Sequence, residues 1–147
     1  MKTFDIIIAA TLAMSAAATP ALVPKETPCT TGSPLTTAGY PINGYSHATP
    51  TQFAGQAYKP DSEWAGSHVL GTYTYDVPLP LETGFAYAQF KCQFKCNSFG
   101  GSSFFVKYAG ANNNEGSLCT CYDDLMNPDT FVADEQAMVG AWNSICK

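Results

Sequence analysis

Phe85–Tyr122 reads FAYAQFKCQFKCNSFGGSSFFVKYAGANNNEGSLCTCY and carries four of the chain's six cysteines, as Cys92-x3-Cys96 and Cys119-x-Cys121. Positions i and i+4 of a helix lie roughly 6 Å apart on one face. Positions i and i+2 of a strand lie about 6.5 Å apart on one face. The fold turns on which element holds the first pair. Phe90, Cys92, Phe94 and Cys96 alternate with Lys91, Gln93 and Lys95, as in a strand. Phe85, Ala88, Cys92 and Cys96 follow helical spacing, with Phe99 just beyond. The alternation fails at Ala86-Tyr87-Ala88, Thr83 offers an N-cap, and Asn97 with Gly100-Gly101 offers a stop. A helix is therefore predicted over Thr83–Asn97.

Beyond it, Ser102–Tyr108 reads as a strand, Ala109–Ser117 as a polar loop and Ser117–Tyr122 as the returning strand. The short Gly-Gly link sends the first strand back along the helix, and the hairpin brings the second parallel to it. Parallel elements pair in order, Cys92 with Cys119 and Cys96 with Cys121, whereas an antiparallel crossing would exchange the partners. Cys29 and Cys146 remain to close the domain end to end. In the chain-entropy view that long loop is worth about 4–5 kcal/mol, and each bridge of the compact clip about 3 kcal/mol.

The N-terminal side gives the compartment. Lys2 precedes the apolar run Ile6–Met14 and the small residues Ser15–Ala18, the pattern of a secretory signal peptide over 1–18. The run is shorter than the roughly 20 residues of a membrane span. Residues 19–28, rich in proline, read as a disordered leader, and 29–147 as one disulfide-rich domain. An even number of cysteines behind a signal peptide implies disulfides in a secreted, extracellular protein, not a metal site. The residues left after a signal peptide over 1–18 are enough to bury a real core, which the bridges supplement. Cys29–Pro60 is punctuated by prolines and reads as irregular with short strand pieces; Val69–Val77 alternates and reads as a strand; Met138–Trp142 reads as a closing strand, after a possible helical turn near Asp134–Met138.

The net charge is −5, every basic residue is a lysine, and there is no arginine. A nucleic-acid binder needs a basic face, and phosphate recognition leans on the arginine fork. Neither nucleic acid nor membrane is an expected partner. The fold class expected is α+β, a small disulfide-stabilised antiparallel sheet cradling one helix.

This set of elements resembles the apple-like (PAN-type) domain of many proteins secreted by filamentous fungi. The residues that carry the resemblance are Gly71–Asp76, Cys92–Cys96, Ser103–Tyr108 and Leu118–Cys121. One departure is plain: such domains usually place a cysteine just before the aromatic strand, near Gly101 or Ser102, and this chain instead carries Cys-x-Cys on the returning strand. The resemblance implies a sheet cradling a helix and a binding role toward protein or carbohydrate, with no enzymatic activity.

Few residues of the chain point to catalytic chemistry. No G-x-S-x-G elbow occurs, and oxidised cysteines leave no thiolate. Asp61 and Glu63 near His68 are the one candidate acid/base set for a small hydrolase. Asp76, Asp123, Asp124, Asn127 and Asp129 read as turn or cap residues; the last four lack the spacing of a calcium loop. His47 and His68 read as surface or structural. No cofactor is implied. Aromatics are the remaining feature, most of them expected in the core; Trp64, Tyr73, Tyr75 and Tyr108 are the candidate binding residues, and Trp64, placed in a polar loop, is the one expected to be exposed. The expectation is a secreted, monomeric, non-enzymatic module that binds an extracellular protein or glycan at a cell surface or as a host-directed effector.

Overall fold

The structure is a computed structural model that describes residues 26–48, 50–53, 55–75, 80–108, 116–135 and 138–147. The signal peptide, most of the leader, Asp76 and most of the 109–117 loop lie outside the described residues. The elements in order are β1 (Leu35–Thr37), β2 (Tyr40–Ile42), β3 (Tyr45–His47), β4 (Tyr58–Pro60), α1 (Ser62–His68), β5 (Val69–Tyr75), α2 (Leu81–Ser98), β6 (Ser103–Tyr108), β7 (Ser117–Tyr122), β8 (Phe131–Ala133) and β9 (Met138–Ser144).

Phe85–Tyr122 is a helix followed by a hairpin. α2 extends the predicted helix at both ends, and the cap differs: Pro80, not Thr83, occupies the N-cap position and makes no side-chain cap bond. Proline suits a helix start because the first turn has no partner for its N–H anyway. The C-terminal end stops as expected. Gly100 takes a left-handed φ of 67°, and the Gly101 N–H donates 2.9 Å to the Cys96 carbonyl. A Cβ on Gly101 would sit 3.1 Å from that same carbonyl, so the tight turn into β6 favours glycine.

A five-stranded sheet in the order β3-β9-β6-β7-β5, antiparallel throughout, forms the middle layer. α2 lies across β6 and β7. The bridges are Cys92–Cys119 and Cys96–Cys121, the in-order arrangement, so α2 runs parallel to β7. Cys29–Cys146 joins the chain's first described segment to the end of β9, where the Ser144 hydroxyl also donates to the Pro28 carbonyl.

Alternation along the strands divides the core in two. Phe104, Val106, Tyr108, Cys119, Cys121 and Trp142 face α2 with Tyr45 and Ile42. Phe105, Tyr122 and Ala141 face the opposite way, against Tyr58, Met126 and Phe131. That second face is covered by the β4–β8 ribbon and by α1, which the sequence reading did not expect. The fold is thus α+β with antiparallel sheets and three disulfides, but the described residues hold two α-helices where one was expected. Asp134 ties the ribbon to the sheet: it is almost fully buried and receives Lys107 of β6 at 2.9 Å and Lys59 of β4 at 3.3 Å.

Two buried glutamines dock α2. Gln89 accepts the Trp142 indole N–H at 2.8 Å, from beside Gly140, where a Cβ would come within 2.4 Å of the same amide oxygen. Gln93 accepts the Asn43 N–H at 3.0 Å and donates to the Pro41 carbonyl at 2.7 Å, holding the β1–β2 hairpin on the helix. A buried amide with its partners in place costs little; one left unpaired costs about 1–3 kcal/mol.

Replacing Cys96 and Cys121 together with serine is expected to lower stability by about 3 kcal/mol and to weaken the near-UV circular dichroism while sparing the far-UV signal; unchanged melting and near-UV spectra would contradict the clip's role. The Lys107 ammonium bond, with Lys59 and a backbone N–H adding to it, holds the Asp134 carboxyl below its ordinary range against the opposing effect of burial. Its stability contribution is therefore full above the unfolded aspartate value of about 4 and is lost as pH falls through the lower folded value. The difference in urea midpoint between the wild type and Asp134→Asn is expected to be largest near neutral pH and to shrink on acidification below about pH 4; a constant difference would contradict the assignment.

Candidate functional site

The helical-face constraint dictates what α2 shows to solvent. With Cys92 and Cys96 bridged to the sheet, a residue two positions away on the helix points about 160–200° from Cys92. Phe90 and Phe94 are those residues. Phe94 is 56% exposed and Phe99 49% exposed, both unusual for large apolar side chains, and Phe90 is half-buried. The rings gather: Phe90 and Phe94 meet edge to face at 5.0 Å, Tyr87 joins Phe90 at 6.5 Å, and Tyr40 of β2 packs on both Tyr87 and Phe90 at 5.5 Å.

β5 supplies the opposite wall. Tyr73 and Tyr75 alternate onto the α2 side of the sheet, packed against its core cluster. The Lys95 ammonium lies 4.5 Å from the centre of the Tyr73 ring and 5.2 Å from that of Phe99, which stack on each other at 5.6 Å. The Lys91 ammonium lies 5.9 Å from the Tyr87 ring. Ammonium over a ring face adds roughly 0.5–1 kcal/mol at an exposed site and holds the lysine stem along the aromatic surface. Between the walls lies an open depression of about 420 Å³ lined by Tyr75, Phe90, Lys91, Phe94, Lys95 and Ser98. Partial burial first, and then the neighbouring Tyr73, hold the Tyr75 hydroxyl above its ordinary pKa.

The predicted site residues therefore scatter. Tyr73 and Tyr75 belong to this surface. Tyr108 does not: it is 2% exposed, in the core beside Phe85, because the alternation of β6 turns it under the helix. Trp64 is not in a polar loop. It sits half-buried on α1, 4.9 Å from the Tyr122 ring, where it helps cover the second sheet face. Phe90, Phe94, Phe99, Lys91 and Lys95 were missed as a surface, although the cysteine-defined face of a helix was signal enough to place the first two outward.

The acid/base set does not converge. The Asp61 carboxylate caps α1, accepting the Glu63 and Trp64 N–H groups at 2.9 and 3.2 Å. Glu63 and His68 lie five positions apart on that helix, about 140° in rotation. His68 Nδ1 instead meets the Asp123 carboxylate at 2.9 Å, linking the end of α1 to the end of β7. Asn127 caps the short turn at Pro128–Thr130 by accepting the Asp129 N–H, and Asp124 accepts the Leu125 N–H. His47, exposed on β3, has its ring 4.0 Å from that of Trp142, and partial desolvation holds its pKa below the ordinary value. Among the described residues the one cluster of three potential metal donors is Cys92, Cys96 and Cys119, whose sulfurs are committed to disulfides. No helix among the described residues is long and apolar enough to cross a membrane.

Exposure on this face gives a direct contrast with the core. Phe94→Ser is expected to change stability by no more than about 0.5 kcal/mol, and Tyr108→Ser to cost about 3 kcal/mol or more, both read from urea unfolding. A large loss in Phe94→Ser would place that ring in the core and remove the surface. Compared with known proteins, the chain matches no family model, no curated protein and no solved structure.

Proposed function

We propose that the chain is a secreted, non-enzymatic recognition module of apple-like type that binds an extracellular protein or glycan through the aromatic, lysine-edged surface between α2 and β5. The observation that carries this reading is the exposure of Phe94 and Phe99 beside Lys91 and Lys95 on a helix locked to the sheet. A contiguous exposed apolar patch is costly in water, and patches of this kind mark contact sites. Aromatic side chains on a rigid support are the usual energetic centres of interfaces because little entropy is lost in ordering them.

Support for the apple-like type is the five-stranded antiparallel sheet with one long helix across it and the Cys-x3-Cys helix bridged to the strand beneath. Support for secretion is the disulfide set together with the N-terminal sequence pattern. The non-enzymatic reading is supported by the commitments of the acid/base set expected from the sequence, with Asp61 spent as a cap and His68 turned to Asp123.

A glycan array run beside affinity capture from extracellular fluid tests the proposal. The expected outcome is a retained ligand whose affinity falls at least tenfold, about 1.4 kcal/mol, in Phe94→Ser or Lys95→Glu. Retention indifferent to both substitutions would overturn the assignment of the surface. Turnover of a substrate abolished by His68→Ala would overturn the non-enzymatic reading.

A further inference from the structure

Among the described residues, one wall of the groove between α2 and β5 is the edge strand of the sheet. Among the described residues β5 pairs with β7 alone. Natural sheets guard such edges with charge, proline, bulges or short strands. β5 is VLGTYTY, seven residues without a charge or a proline, and its single irregularity is the bulge between Val69 and Gly71. Val69 and Leu70 are both exposed at its start. From Gly71 to Tyr75 the strand is regular, with Thr72 and Thr74 on one face and Tyr73 and Tyr75 on the groove face. Because Gly71 lies opposite Cys121 and Tyr73 opposite Cys119, β5 runs antiparallel to α2, and its end at Tyr75 meets Phe90 and Phe94.

We infer that the β5 edge is a docking site for an extended segment of another protein, which adds as a sixth strand and sets an apolar side chain in the Tyr75–Phe90–Phe94 depression with an acidic one against Lys91 and Lys95. This rests on the recognition reading of the same surface and names its partner class. The free N–H and C=O groups of an edge supply the ladder, and alternate side chains of the added strand supply specificity. Residues i and i+2 of that strand lie about 6.5 Å apart on the groove side, the scale of the depression and its lysine rim.

Charge decides the chemistry. Two of the seven lysines rim this groove in a chain of net charge −5. An acidic segment is thus drawn to this place and repelled elsewhere. Each lysine presents a compact ammonium point charge that pairs with a single carboxylate. A glycan has no amide ladder to offer β5, and the phenylalanine rings carry no polar tip for its hydroxyls. A second copy paired edge to edge about a two-fold axis would put both copies' lysines on the same side of the joined sheet.

Selection of a phage-displayed library of random linear heptapeptides on the intact, oxidised protein tests this. The expected binders alternate apolar and acidic residues, protect β5 amides from hydrogen exchange, and lose at least tenfold in affinity when N-methylated at alternate backbone positions with side chains unchanged. Lys91→Glu with Lys95→Glu is expected to shift selection toward basic peptides. No binder, binders indifferent to N-methylation, or binders without acidic residues would overturn the inference. Protection of β5 in a dimer of the protein alone would overturn it in favour of a second copy. A ligand that needs Phe94 but tolerates N-methylation would leave the recognition reading standing and remove strand addition alone.

Discussion

The two bridges from α2 to β7 are the constraint on which the other features rest. Cys92 and Cys96 advance about one helical turn while Cys119 and Cys121 advance one strand repeat, and the two distances agree within an ångström. One bridge would hold the helix near the sheet and leave it free to roll. Two, side by side, fix both its direction and its rotation. Once rotation is fixed, every other position on α2 has an assigned surroundings. Ala88 goes to the core, Gln89 and Gln93 to the flanks where they find Trp142 and the β2–β3 segment, and Phe90 and Phe94 to the outside.

That arrangement inverts the usual distribution on an amphipathic helix. Glutamines are buried with their hydrogen bonds satisfied, and phenylalanines stand in water. The inversion explains why the stretch looks half like a strand. Phe90, Cys92, Phe94 and Cys96 alternate because the helix carries two apolar faces, one for the sheet and one for solvent. The clip, the hairpin and the closing strand were legible because they depend on local spacing and turn residues. The exposure of Phe94 was legible only in combination, from the face that the cysteines define.

What was not legible depended on pairings distant in sequence. Asp61-Ser62-Glu63-Trp64 looks like a polar turn, and becomes the start of α1 because Asp61 caps it and Trp64 finds Tyr122 to cover. Tyr108 looks like any tyrosine of a strand end, and its burial follows from the register that sets it opposite Ser117 and Met138 under the helix. The β4–β8 ribbon joins segments some seventy residues apart through three residue pairs, and Asp134 meets two lysines on different strands. No local pattern announces such contacts.

Hydroxyl-radical footprinting of the native, fully oxidised protein, read residue by residue by mass spectrometry, tests most directly whether the clip presents the outer face of α2. The expected result is fast labelling of Phe94 and Phe99 and slow labelling of Phe104, a ring of the same chemistry that is fully buried beneath the helix. Labelling of Phe94 as slow as that of Phe104 would contradict the helix rotation, and with it the surface that the rotation exposes.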